Sequence, residues 1–156
     1  VLDSTYKEYL FIFNNIHPAT DQTSLFFQGN AAGGSGYDET ITSNGFQAQH
    51  SEGGSSELSY ESGSDQAQGT AFQKISHELG NGNDECASGY LHLFNPSDTT
   101  YVKHYLSKLN AYRYNDYTQT HFSSGYFNTT SAIDEIQFKM DSGDIDAGTI
   151  QLFGVA

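Results

Sequence analysis

The closing stretch "AIDEIQFKMDSGDIDAGTIQLFGVA" (132–156) decides the fold. Ile136, Phe138 and Met140 fall on every second position, and so do Ile150 and Leu152. Between the two runs lies a loop rich in Gly and Asp. Period-two alternation on either side of such a loop predicts two antiparallel strands with one buried face. This reading sets Ile150 and Leu152 against the core and makes the final run a core strand pinned by its sheet.

The rest of the chain carries the same signal. "TYKEYLFIFNNI" (5–16) is a near-continuous apolar strand, and "HPATD" (17–21) is a turn in which Pro18 fixes the backbone. Strands are predicted over 22–29, 44–51, 71–79, 87–96 and 117–127, and over 99–114 as one long strand or a broken one. The Asn44-Gly45 pair marks a hairpin-type start. The segment 52–70 is acidic and rich in Gly and Ser, which suits a long surface loop or an arm that orders against a neighbour. Short strands, frequent turn signals and no convincing helix predict an all-β sandwich or barrel. No internal repeat points to a propeller or solenoid.

Composition bounds the function. The chain has 156 residues, a single domain's worth, and no apolar run reaches membrane-spanning length. Val1 and Leu2 read as the tail of a strand, so the chain is expected to be a trimmed one or the ordered C-terminal part of a longer one. The net charge is −13, with six Lys and Arg, and from Glu8 to Gln73 eight acids face no basic residue. Nucleic acid and anionic membrane are therefore poor partners, because phosphate contacts need cations. Eleven Tyr and eleven Phe in a Gly/Ser/Asn-rich background suit aromatic strands joined by polar turns. The lone Cys86 can form no internal disulfide.

Candidate sites weigh lightly. Tyr101, Tyr105, Tyr112, Tyr114 and Tyr117 make the densest aromatic stretch. Tyrosine suits a subunit interface or a sugar-stacking surface, and it equally suits ordinary strand packing. Asp141, Asp144 and Asp146 could attract calcium, yet they lack the EF-hand spacing, and Asp and Gly are also what a tight turn needs. The six His show no metal-ligand spacing, and no G-x-S-x-G nucleophile motif occurs. The Gly33–Gly36 cluster has no following Lys to make a phosphate loop. No catalytic residue and no cofactor is indicated.

Three stretches taken together carry a resemblance: "YLFIFNNIHPATD" (9–21), "SGYLHLFNPSDTTYVKHY" (88–105) and "TTSAIDEIQFKMDSGDIDAGTIQLFGV" (129–155). They resemble a family of bacteriophage virion proteins of the tail-fibre or head-decoration type, notably from marine and cyanobacterial phages. Ile133, Ile136, Phe138, Ser142, Gly143, Ile145, Gly148, Thr149, Ile150, Leu152 and Gly154 occupy the family's closing frame. Asp141, Asp144 and Asp146 depart from it, standing where such proteins often carry Ser or Asn. The resemblance covers most of the chain except 30–70. It implies a jelly-roll-like antiparallel β-sandwich, a non-enzymatic role in the virion as a capsid-decoration or tail-fibre module, a homotrimer, and contacts with other virion proteins. The alternative is a lectin-like domain that recognises a host surface glycan.

Overall fold

A computed structural model describes residues 2–156, and among them the regular structure is all strand. The eleven strands are β1 (Glu8–Pro18), β2 (Leu25–Ala31), β3 (Ile41–Ser51), β4 (Ser56–Tyr60), β5 (Ala67–Gly69), β6 (Gln73–Lys74), β7 (Ala87–Phe94), β8 (Lys103–Arg113), β9 (Tyr117–Phe127), β10 (Ile133–Met140) and β11 (Ile145–Val155). Every pairing is antiparallel. Eight strands form a large sheet in the order β11-β1-β7-β8-β9-β3-β4, with β5 also on β3, and three form a small sheet, β10-β2-β6.

The two sheets pack face to face. Phe27 of β2 meets Tyr105 of β8 and Phe127 of β9 edge-on, with ring centroids 4.9 and 6.0 Å apart. Phe138 of β10 meets Phe11 and Phe13 of β1, both at 5.1 Å. Leu91, Leu93 and Leu109 complete the large sheet's inner face, and Ile75 and Leu79 close the core from the segment after β6. T-shaped aromatic pairs add specific geometry to a large buried apolar area.

The closing pair is organised differently from its expected hairpin. β10 pairs with β2 in the small sheet and β11 with β1 in the large one, so the loop 141–144 crosses between layers. Gly143 turns there with φ +70°. β11 is the edge strand of the large sheet, and everything from Asp146 to Val155 is exposed. Ile150 and Leu152 do point inward, opposite Phe13 and Phe11, but they remain 37% and 44% exposed because the small sheet ends short of them. Near its start β11 passes a bulge in β1, where Asn15 has φ 51° and Gly148 φ +105°. A Cβ on Gly148 would lie 2.5 Å from the Asn15 carbonyl, so glycine is required there.

Other expectations shift as well. Segment 52–70 folds back on its own chain, with β4 and β5 both pairing with β3. His17 and Pro18 belong to β1, and the turn comes after them. Within 71–79 only Gln73 and Lys74 form a strand, followed by a bridge at Leu79. The long run 99–114 resolves to one strand from Lys103. Leu2 is buried but lies outside any strand, its amide donating to the Asp134 carbonyl, and Val1 lies outside the described residues.

Candidate functional site

Among the described residues no second layer covers the outer face of the large sheet. Cross-strand register aligns its outward side chains into rows. One row runs Gln151, Ile12, Tyr90, Lys108, Phe122, Phe46, Tyr60, crossing seven strands. A flanking row runs Phe153, Leu10, His92, Leu106, Ser124, Asn44, and another Ser88, Asn110, Thr120, Ala48, Leu58. None of these rows contains a carboxylate, in a chain with 19 Asp and Glu. Phe46, Tyr60, Leu58, Leu106 and Tyr90 are all exposed. The rings of Phe46 and Phe122 stack on one another at 4.6 Å and 10°, and the Lys108 ammonium sits 5.3 Å from the Phe122 centroid on its other side. Both faces of Phe122 are thus occupied within the sheet. Tyr60 is held by a 2.6 Å hydrogen bond to Asp65.

The five sequence-selected tyrosines do not share a surface. Tyr105 is fully buried on the inner face, and burial pushes its hydroxyl pKa up to about 12, so it is a core residue. Tyr101 is 72% exposed in the turn before β8. Tyr112 closes the outer face of β8 and donates toward Glu52 and Asp116, and partial desolvation and those carboxylates push its pKa up to about 12. Tyr114 and Tyr117 flank the β8–β9 turn, where the Arg113 guanidinium lies 5.9 and 5.7 Å from their rings. Asp141, Asp144 and Asp146 are exposed around the 141–144 crossing. Among the described residues no three His, Cys, Asp or Glu side chains converge on a common point where an ion could sit.

The inner face of β3 and β9 holds a second, buried group of side chains. Gln47, Gln119, His121, Ser123 and Gln73 are almost fully enclosed. The roof here is the segment 61–78, mostly irregular apart from the short strands β5 and β6. Outside those two strands its backbone groups have no ladder, and several are met by side chains. Gln73 Nε2 donates to the Ser64 carbonyl at 2.6 Å, and its Oε1 accepts from Ser43 Oγ at 2.7 Å. Gln28 Nε2 reaches the carbonyls of Glu39 and Ala71 at 3.0 Å each. Arg113 pairs with Glu78 and donates to Gln49 at 2.5 Å. His121 is 1% exposed, and neither ring nitrogen has a protein hydrogen-bond partner. Burial, then His77 and Lys74, lowers its pKa to about 4. His77 is likewise lowered to about 4 by burial, then by Lys74 and Arg113, although Glu61 and Glu78 lie 3.7 and 3.8 Å from its ring.

No protein-family model, no curated protein and no solved structure matches this chain.

Sequence reasoning missed both the outer-face rows and the edge at β11. The register that assembles the rows joins residues far apart in the chain, so no local spacing announces them. The edge had a signal in hindsight: residues 147–155 carry no charge at all in a chain of net charge −13.

Proposed function

We propose that this chain is a non-enzymatic structural module of a virion, of the jelly-roll-like decoration or tail-fibre kind its sequence resembles, working by surface docking on other virion proteins. The observation that carries the proposal is the outer face of the large sheet. It is broad and uncovered, and its three central rows include no acid; the carboxylates nearest to it are Glu8, 2.8 Å from His92, and Asp65, 2.6 Å from the Tyr60 hydroxyl. Interfaces lose charge at their centres and gain aromatic side chains, and these rows follow that composition apart from Lys108, whose ammonium lies over the Phe122 ring. The acids outside the face keep copies soluble and repel packaged nucleic acid.

The lectin-like alternative has weaker support. Sugar stacking needs an open aromatic face; Phe122 presents its faces to Phe46 and Lys108, and the exposed Tyr60, Tyr90 and Tyr101 sit on separate elements. The direct test is mass spectrometry of density-banded phage particles from the source culture. The chain is expected in stoichiometric amounts with the coat proteins. Its absence from particles while present in the lysate overturns the proposal, and specific retention on a glycan array would favour the lectin reading.

A further inference from the structure

The sandwich has four sheet edges, and three of them are guarded. β4 is five residues long and carries Glu57, β6 has two residues, and β10 carries Asp134, Glu135 and Lys139 along its length. Short strands and charges of this kind discourage further pairing. β11 carries a single acid, Asp146, at its start and has no guard along the rest of its length. It is eleven residues long, pairs on one side only, and shows no charge or proline from Ala147 to Val155. Beneath it the open flank of the sandwich forms a cavity of about 440 Å³ lined by Leu2, Phe11, Ile136, Phe138, Ile150 and Leu152, with Tyr37, Asp134 and Glu135 also in its lining. On the opposite side of the strand Phe153 and Val155 are exposed. An unpaired backbone edge above a groove with six apolar lining residues supplies both elements that strand addition uses: main-chain hydrogen bonds and pockets for alternate side chains.

We infer that β11 pairs antiparallel with β11 of a second copy about a two-fold axis centred on Gln151. The sequence is self-complementary in that register. Ile150 stands opposite Leu152 of the other copy, and Leu152 opposite Ile150, so each groove is extended by apolar side chains. Thr149 stands opposite Phe153 on the outer side. No acid opposes an acid, which matters for two bodies each carrying a net charge of −13. A two-fold contact of this kind is isologous and closes on itself. The inference rests on the assembly role proposed above, and it replaces the trimer implied by the resemblance with a dimer as the building block.

Multi-angle light scattering and sedimentation of the purified chain from one to several hundred micromolar test it. A dimer in reversible exchange with monomer is expected. Phe153→Asp should weaken the dimer at least about tenfold, because the new carboxylate meets an apolar edge and adds to mutual repulsion. Adding Thr149→Lys should restore most of that loss, since residue 149 faces residue 153 of the other copy only in this register. Gln151→Glu, which sets two carboxylates together on the axis, gives an independent reading should Phe153→Asp disturb the fold by circular dichroism. A monomer throughout overturns the inference. A trimer or dimer whose mass ignores these changes also overturns it but leaves the virion role standing. Loss with Phe153→Asp and recovery with Thr149→Lys establishes it.

Discussion

The space between the two sheets is filled in two different ways. Toward β1, β7 and β8 the small sheet supplies the roof, and the filling is Phe11, Phe13, Phe27, Leu91, Leu93 and Tyr105. Toward β9 and β3 the roof is the segment 61–78, mostly loop with only the short strands β5 and β6, and the filling is Gln47, Gln73, Gln119, His121 and Ser123. The difference follows from what lies above. A strand satisfies its own backbone through its ladder and asks its neighbours only for apolar surface. A loop leaves amides and carbonyls unpaired, and a buried unpaired group costs about 1–3 kcal/mol, so polar side chains are drawn under it. The apolar half therefore stabilises by burial, and the polar half holds a roof in place.

The apolar half should be the more sensitive to truncation. Phe27 is fully buried and touches Tyr105, Phe127 and Phe138. Phe27→Ala is expected to cost about 3–5 kcal/mol, from lost burial and the cavity left between rigid rings. Urea melts at pH 7.5 measure it. A cost below about 1 kcal/mol would mean the sheets can collapse over the gap, and that the aromatic packing is looser than its T-shaped geometry indicates.

Acid should act on the polar half. His77 and His121 are neutral in the folded chain with pKa values near 4, whereas an unfolded histidine titrates near 6.5. Between these values the unfolded state binds more protons, so stability is intact above about pH 6.5 and falls as pH drops towards 4. Each fully shifted histidine contributes on the order of 3 kcal/mol to that loss. His121→Leu removes a buried ring with unpartnered nitrogens, so it should leave neutral stability unchanged or raised and cut the acid loss by about half. Melts of both proteins at pH 7.5, 5.5 and 4.5 decide. Identical pH slopes in the two would place the titration elsewhere.

The same contrast explains what was legible in the sequence. Strand β1 stands out as a near-continuous apolar run and β8 from its alternation, and β9 fills the stretch expected of it. Which face turns inward was harder to read. Along β9 the inward side chains Gln119, His121 and Ser123 are polar, with Phe127 the apolar exception at the strand's end, while Phe122 and Tyr126 point out. On β8 Lys103 is fully buried, its ammonium donating to the Tyr101 and Thr129 carbonyls, while Leu106 is exposed. Hydrophobic alternation assumes an apolar roof, and it inverts where the roof is loop. β4 left no apolar signal because its residues are half-exposed or exposed on both sides. The partners of β10 and β11 were invisible for another reason. Period two fixes a face but says nothing about which sheet receives the strand.

The smallest expected effect tests that last point. Were Ile150 a core residue, as the closing alternation implies, Ile150→Ala would cost roughly 2–5 kcal/mol. It faces Phe13 across the strand pair, yet it remains over a third exposed at the open flank. In dilute, monomeric protein the cost should therefore be about 1 kcal/mol, scaling with the smaller area it buries. Gln151→Ala, on the outer side, should cost on the order of 0.5 kcal/mol or less. Concentration separates the edge from the core. If β11 joins a second copy, Ile150 is fully covered only in the dimer, and the deficit of Ile150→Ala should grow as concentration rises, because association adds to stability by mass action. A deficit that stays constant from one to several hundred micromolar, at either the small or the large value, would show that the flank beneath β11 meets no second copy.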